Sequence, residues 1–267
     1  MDSSQKPLVY LILGAAGSGR REVVADLIEG GLAETDRAAV LLADSEAADP
    51  ADAKLPASTR WTWAEAITGA MIPDGATHVF FFADGRRNPV DQLEVFKPWA
   101  DAQGAEIARV ICVIDCQLAE KNPPLLAWYD ACVHFSDVVL LNRREGVANK
   151  WISDFQAHFK DRFIPSLFEF VKAGRVRNPA LILQPEARRM SHALDEEQNW
   201  VVTDEDGETM DADEFDEDEE LEGGLSGEEE VEVKPEEEPY FTRDAAGRRQ
   251  KRLPDIAKFL GADGESR

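Results

Sequence analysis

The chain has 267 residues, of which 43% are hydrophobic and 31% charged, so it can bury one good core and is not a wholly disordered polypeptide. Acidic residues outnumber basic residues by 53 to 29, and residues 191–267 hold −19 of the net charge of −24. Nucleic-acid binding draws its affinity from clustered Lys and Arg. The charge therefore excludes nucleic acid as the main partner and favours a protein partner with a basic surface.

The cysteines and the apolar runs indicate the compartment. Cys112, Cys116 and Cys132 are too few for a disulfide framework, and we expect them to pack in the core of a cytoplasmic protein. The longest apolar runs, Leu8–Ala16 and Val79–Ala83, are shorter than the roughly 18 residues of a membrane span. We expect no membrane association and no secretory signal.

Between residues 7 and 184, short β-branched or aromatic runs alternate with longer stretches of helical spacing. This alternation is typical of a parallel sheet with crossover helices. The predicted strands are Leu8–Leu13, Ala39–Leu42, His78–Ala83, Arg109–Ile114, Asp137–Leu141 and Leu181–Leu183. The predicted helices include Arg20–Glu29, Pro89–Gln103 and Lys150–Lys172. Residues 1–190 are therefore predicted to form a three-layer α/β domain with a mainly parallel sheet.

A glycine-rich loop, Gly14-Ala15-Ala16-Gly17-Ser18-Gly19, lies between the first predicted strand and the first predicted helix. Its glycines let successive backbone N–H groups curl around an anion, and the helix N-terminus adds its positive end. The spacing is that of a Walker A motif, but Arg20 and Arg21 stand where that motif has Lys and a hydroxyl residue. Because a guanidinium cannot ligate Mg²⁺, we expect phosphate binding without metal-assisted hydrolysis. The alternative is that the glycines only form a tight turn.

Four further fragments follow this loop in order: Phe82–Pro89, Val110–Cys116, Phe135–Glu145 and Arg177–Ile182. Together with the loop they resemble the CobW-type P-loop GTPases, a family that contains metal-insertion chaperones. Gly85 and Pro89 match that family's Glu-Thr-Thr/Ser-Gly-Leu-Ala-Asp-Pro segment, and Asp115 matches the Asp of its Val-Asp-Ala strand end. The sequence Asn142-Arg143-Arg144-Glu145 stands where the family has its guanine-reading motif, Asn-Lys-x-Asp.

The resemblance implies a P-loop NTPase-like domain that binds a nucleotide, with GTP as the expected cofactor. The implied nucleotide-binding residues are Gly14, Gly17, Ser18, Gly19, Arg20, Arg21, Asn142 and Glu145, and the further phosphate or partner contacts are Asp84, Gly85, Arg143 and Arg144. The family's Cys-x-Cys-Cys motif is absent, since the corresponding stretch reads Thr59–Trp63. Its C-terminal metal-chaperone domain has no counterpart either, so we expect no metal site and assign no catalytic residue.

The composition changes after about residue 190. Residues 191–240 are predicted to be a disordered acidic linker with one small hairpin at Trp200–Met210, because so little apolar area cannot offset chain entropy and charge repulsion. Residues 241–267 form a basic and apolar segment in which Pro254 opens a predicted short helix. This segment is either a frayed terminus or a docking peptide.

These observations leave two hypotheses of function. The first is a diverged CobW-like protein that binds a phosphate-bearing ligand, with GTP as the first candidate, and hydrolyses it slowly or not at all. The alternative is a pseudo-GTPase scaffold that acts in protein–protein interaction through its α/β domain and its charged tail. A slow but genuine GTPase activity stays open beside them.

Overall fold

A computed structural model describes residues 6–56, 58–195, 202–203, 209–210 and 238–261. The described residues fall into two units. The first comprises the described residues up to Leu194 and those from Glu238 onward, and the second comprises the described residues between 195 and 237.

An eight-stranded sheet organises the first unit, in the order β4-β3-β2-β5-β1-β6-β7-β8. The strands are β1 (Leu8–Leu13), β2 (Ala38–Ala43), β3 (Ser58–Trp63), β4 (Ile67–Thr68), β5 (His78–Phe82), β6 (Glu106–Asp115), β7 (Val138–Asn142) and β8 (Leu167–Phe170). All neighbouring strands pair in parallel except β3 with β4 at one edge. Because the strands are parallel, the chain segments that leave them at their carboxyl ends collect along a single edge of the sheet.

The central strand β1 divides the core into two layers. Val9, Leu11 and Leu13 pack on one face, and Tyr10 and Ile12 on the other, as the period of two requires. The helices are α1 (Arg20–Gly31), α2 (Pro89–Ala102), α3 (Cys116–Lys121), α4 (Leu126–His134), α5 (Asn149–Lys160) and α6 (Pro179–Leu183). Apolar residues of α1 and α6 cover the face of Tyr10, and those of α2 to α5 cover the opposite face. The predicted three-layer α/β architecture with a mainly parallel sheet is confirmed.

Local capping signals explain several helix starts. Asn88 accepts a hydrogen bond from the backbone N–H of Val90, and Pro89 follows as the first helical residue of α2. Asn178 and Pro179 begin α6 in the same way. Leu181–Leu183 is therefore helical, and its assignment as a strand is wrong. An apolar run of three residues has no period that distinguishes the two structures, and the Asn-Pro cap decides between them.

Two other predicted elements need correction. The helix predicted over Lys150–Lys172 ends at Lys160 in the structure, and the edge strand β8 follows at Leu167. The stretch Thr59–Trp63 lies in strand β3, which the sequence analysis did not predict. Both strands lie near an edge of the sheet. The first three residues of β3 are polar, and β8 has only four residues with a Glu among them, so both lack the continuous apolar run that marks a central parallel strand.

Residues 238–261, here called the docked segment, pack against the helices of the α2–α5 face. Tyr240 and Ile256 are buried in the core, and Arg249 donates hydrogen bonds to Asp91 and Glu94 of α2. Asp255 caps a single 3₁₀ turn at Ile256–Phe259, where a short helix was predicted. This segment therefore docks on its own chain.

In the second unit, Val202–Thr203 pairs antiparallel with Thr209–Met210 as β9 and β10, in agreement with the predicted hairpin. The rest of the predicted acidic linker from residue 196 to 237 lies outside the described residues. Among the residues that the structure describes, no helix has the length and hydropathy needed to cross a bilayer.

Candidate functional site

The glycine-rich loop, Gly14–Gly19, lies at the carboxyl edge of the sheet between β1 and α1. Gly14, Gly17 and Gly19 have φ angles of 128°, 79° and 81°, a region that residues with a Cβ rarely occupy. Gly19 precedes the first residue of α1 and provides no side-chain cap. The loop therefore has the glycine-dependent backbone of a tight strand-to-helix turn, and within it the N–H of Ser18 donates to the carbonyl oxygen of Ala15 at 3.1 Å.

Segments after two other strands meet this loop. Following β5, the carbonyl oxygen of Gly85 accepts a hydrogen bond of 3.0 Å from the backbone N–H of Ala16. At the end of β7, the Asn142 Nδ2 donates to the carbonyl oxygen of Ser18 at 2.9 Å. The structure thus brings together the loop, Gly85 and Asn142, which the sequence analysis grouped from separate fragments.

Arg20 lies inside the site with only 3% of its surface exposed. One guanidinium nitrogen, Nη1, donates to the carbonyl oxygen of Ala83 at 2.7 Å and to that of Ile12 at 3.4 Å. The other, Nη2, forms an ion pair with Glu46. Arg20 therefore joins the carboxyl ends of β1 and β5 to the chain that follows β2.

Glu46 is the residue that sequence reasoning missed. Its Oε1 accepts from the backbone N–H of Gly85 at 3.1 Å as well as from Arg20, and its Oε2 lies 3.4 Å from Arg21 Nη2. Arg21 also donates to both carboxylate oxygens of Asp52, at 2.9 and 3.1 Å. The available signal was the position of Glu46 shortly after a parallel strand, which places it at the ligand-binding edge.

Arg143 and Arg144 have separate surroundings. Arg143, with a φ of 51°, pairs with Asp115 at 3.3 Å. Burial raises the pKa of Asp115, and the N–H of Leu118 and the charge of Arg143 oppose that rise. Arg144 stacks 4.3 Å from the ring centre of Phe170, so it turns away from the glycine loop toward β8.

Asp84 and Glu145 also differ in role. Asp84 is 2% exposed, and its carboxylate accepts hydrogen bonds from Arg87 Nε and from the backbone N–H of Arg86, so it holds its own turn together. Glu145 lines the larger of the two cavities at this edge, and its carbonyl oxygen accepts from Gln117. Glu145 is an exposed residue in the lining of this cavity.

Two neighbouring cavities open at this edge. The larger, of about 710 Å³, extends from Gly19 and α1 past Asn142 and Glu145 to Gly174. The smaller, of about 210 Å³, lies beside the glycine loop and the two arginines that follow it. Its lining includes Gly17, Gly19, Arg20, Arg21, Glu46, Arg86 and Arg143. Gly19, Glu22 and Arg143 line both cavities, so the two are adjacent.

A phosphate does not fit at the Arg20 guanidinium while the Glu46 carboxylate is there. That carboxylate already takes hydrogen bonds from the side chain of Arg20 and from the N–H of Gly85. Arg21 is held by Asp52 and Glu46 and offers no oxygen ligand to Mg²⁺. The hydroxyl of Ser18 is buried and has no hydrogen-bond partner within the described part of the chain.

The cysteines lie in the core. Cys112, Cys116 and Cys132 are free thiols with no exposed surface, and burial raises the pKa of Cys116 to about 12. Core packing of these residues is confirmed. Within the described ranges, His, Cys, Asp and Glu form no group of three or more arranged to hold a metal ion.

Comparison with known proteins gives two distant structural neighbours. No family model matches the chain, and no curated protein matches it. A crystal structure of a zinc-bound triple mutant of the YjiA GTPase is 12% identical, with a TM-score of 0.40 over 72% of this chain and 69% of that chain. The zinc-bound YjiA GTPase from E. coli is 11% identical, with a TM-score of 0.41 over 69% of this chain and 67% of that chain.

Proposed function

We propose that this chain is a diverged CobW-like P-loop protein that binds a phosphate-bearing ligand, with GTP as the first candidate, and hydrolyses it slowly or not at all. The observation that carries the proposal is the pair of adjacent cavities beside the glycine loop. Their shared lining at Gly19 and Arg143 would let one ligand reach from the loop to Asn142 and Glu145.

The larger cavity offers groups suited to a nucleoside. Glu145 supplies a carboxylate that could accept from the N–H pair of a guanine. Lys54, Arg143 and Arg175 line the same cavity. The acidic residues Glu22, Asp26 and Glu29 line it too, so the charge of the lining is mixed and only the basic side chains could pair with an anionic group. A pocket of this kind, concave and with a few convergent polar groups, is the usual form of a small-molecule site.

Slow or absent hydrolysis follows from the two arginines. Fast phosphoryl transfer uses a metal ion held by a hydroxyl or carboxylate near the phosphates. Arg21 occupies the hydroxyl position and is ion-paired to Asp52 at 2.9 Å. Its positive charge repels Mg²⁺, so the proposal does not include a metal cofactor.

The test is titration of labelled GTP and ATP, each with and without Mg²⁺. We expect GTP to bind at submillimolar concentration, independently of Mg²⁺, and Glu145→Gln to weaken GTP more than ATP. Glu106→Gln is the control, because Glu106 is exposed and is the first residue of β6, at the amino ends of the strands and away from the cavities. Absence of binding below millimolar concentration would remove the nucleotide from the proposal. Chromatography of the denatured protein after purification from cells would show any nucleotide carried along.

A non-catalytic scaffold is the second candidate. The specific observation in its favour is that Arg20 and Arg21 already have anionic partners within the chain. The acidic composition of residues 191–240 suits a protein partner with a basic surface, and the three free thiols suit the cytoplasm. Replacing residues 196–237 with a neutral Gly/Ser linker keeps the docked segment and should abolish recovery of such a partner in a pull-down. Unchanged recovery would exclude the acidic residues as the contact.

A further inference from the structure

Glu46 is a single buried residue in an otherwise exposed turn. Residues 44–49, here called the Glu46 turn, follow β2, and Asp44, Ser45, Ala47 and Ala48 are all exposed. Glu46 itself is 8% exposed. Arg60 donates to the carbonyl oxygens of both Ala43 and Glu46 at 3.0 Å, which holds the turn against β3. The fold therefore directs one carboxylate from a surface turn into the site.

The donors that this carboxylate contacts are those an incoming phosphate would need. They are the Arg20 guanidinium, the Arg21 guanidinium and the backbone N–H of Gly85. Hydrogen bonds from charged donors to an anion are among the strongest in proteins. A second anion beside Glu46 would meet like-charge repulsion in a poorly solvated place.

The Glu46 carboxylate is also the group of this cluster that can leave without depriving Arg20 and Arg21 of all their acceptors. If it withdraws, Arg20 keeps its acceptors at Ala83 and Ile12, and Arg21 keeps both oxygens of Asp52. The turn that holds Glu46 lies outside the strands. Movement from Ser45 onward breaks the hydrogen bond from Arg60 to the carbonyl oxygen of Glu46 but leaves the N–H of Asp44 on the carbonyl oxygen of Trp61, so the pairing of β2 with β3 is kept. The cavity of about 210 Å³ already opens beside the carboxylate.

We propose that the Glu46 carboxylate is a built-in anion that occupies the phosphate position beside Arg20 and Gly85, and that a phosphate-bearing ligand binds there only by displacing it. This inference rests on the proposed function and adds its regulation. Glu46 then sets the affinity of the site for phosphate. Movement of the Glu46 turn is the event that opens the site.

The experiment titrates inorganic pyrophosphate into the full-length protein by calorimetry. We expect Glu46→Ala to bind pyrophosphate about tenfold or more tightly than the wild type, because both the bulk and the like charge are gone. Glu46→Gln keeps the shape of the side chain without its charge, and its affinity for pyrophosphate should lie between those of the wild type and Glu46→Ala. Glu106→Gln is the matched control, because it removes the same charge from an exposed residue at the start of β6, away from both cavities. The double variant Arg20→Ala with Glu46→Ala should lose the gain.

The outcomes separate this inference from the proposed function. If only the Glu46 variants bind pyrophosphate and GTP, the inference holds and nucleotide binding by the native protein fails. If wild type and Glu46→Ala bind GTP and pyrophosphate equally, the inference is overturned and the proposed function stands. If no variant binds either probe, both are overturned. Should Glu46→Ala not fold, Glu46→Asp keeps the charge on a shorter side chain and must still tighten pyrophosphate binding relative to the wild type.

Discussion

Arg20 links three segments of the chain through one buried guanidinium. Its hydrogen bonds reach Ile12, Ala83 and Glu46, which belong to β1, to the end of β5 and to the Glu46 turn. A buried ion pair stabilises little compared with apolar packing, but removing one partner leaves the other charge buried and unpaired. Removing Arg20 should therefore cost more free energy of unfolding than the intact ion pair contributes.

We expect Arg20→Ala to lower the free energy of unfolding by about 3 kcal/mol, because Glu46 is left buried without its nearest cation. Arg37→Ala should change it by less than about 1 kcal/mol, since Arg37 is exposed. Urea denaturation of both variants measures the difference. Where pyrophosphate binds, Arg20→Ala should also weaken it more than Arg37→Ala does. Equal effects of the two substitutions on stability and binding would contradict the linking role assigned to the buried Arg20 guanidinium.

At position 19, both the backbone conformation and the neighbouring Asn142 side chain require a glycine. Its φ is 81°, and a Cβ placed there would lie 2.4 Å from Asn142 Nδ2. Gly104 has a φ of 65° but nothing within 4 Å of such a Cβ. Gly104→Ala should therefore lower the free energy of unfolding by only about 1 kcal/mol, the cost of the positive φ for a residue with a Cβ. Gly19→Ala should lower it further, because it also displaces the Asn142 amide. Thermal denaturation compares the two, and an equal loss would mean that the Asn142 side chain moves away freely.

At the scale of elements, the docked segment completes the α2–α5 face of the domain. Ile256 is 1% exposed although its 3₁₀ turn has only four residues. Phe241 stacks on Phe135 at a ring-centre distance of 5.4 Å, and the ring of Tyr240 lies tilted against Phe135 at 5.7 Å. Such packing makes the segment part of the same core as the sheet.

Ile256→Ala should destabilise the domain by about 2–4 kcal/mol, the usual result of removing a large buried aliphatic side chain. Met71→Ala is the control, because Met71 is 71% exposed and should change stability by less than about 0.5 kcal/mol. Guanidinium denaturation followed by tryptophan fluorescence reports on both. A single transition that shifts for Ile256→Ala is expected; an unshifted transition would mean that the docked segment does not contribute to the cooperative unit.

The elements also show which signals in the sequence are reliable. Central strands such as β1 and β5 are largely apolar on both faces and were predicted with bounds close to those observed, whereas β6 extends beyond the predicted Arg109–Ile114. Strands β3 and β8 were missed because neither contains a continuous apolar run. Helix α6 was taken for a strand because three apolar residues fit either structure.

At the scale of the whole molecule, Glu238 is the residue at which the described chain returns to the domain, and it contacts Ser191, close to where the chain leaves it. Its carboxylate accepts from Ser191 Oγ at 2.5 Å and from His134 Nε2 at 3.0 Å. Burial alone would raise the pKa of Glu238, but the hydrogen bonds from His134, Ser191 and the N–H of Tyr240 together lower it. The carboxylate form is therefore favoured in the folded protein.

A lowered pKa in the folded state gives stability that is present above the unfolded value, near 4.5, and lost as the pH falls through the folded value. We expect wild type to be more stable than Glu238→Gln at pH 7 and this advantage to shrink below about pH 4. Urea midpoints measured from pH 7 to pH 3 test this. Asp255→Asn serves as a control, because Asp255 is exposed and an asparagine oxygen can accept the same capping hydrogen bond from the N–H of Ala257. An advantage of the wild type that persists unchanged at pH 3 would contradict the assignment.

The sequence by itself determined the core of this protein and the place of its glycine loop. Both follow from local information: apolar runs of five or six β-branched or aromatic residues indicate a buried parallel strand, and glycines between a strand and a helix allow a turn with positive φ angles. Only the tertiary structure decided that Glu46 lies against Arg20 and Gly85, and that Ile256 completes the core. These contacts join residues far apart in the chain, and they depend on the order of β2, β5 and β1 in the sheet and on where the C-terminal residues return. No spacing along the sequence encodes that order, because it results from how all the strands and helices pack together.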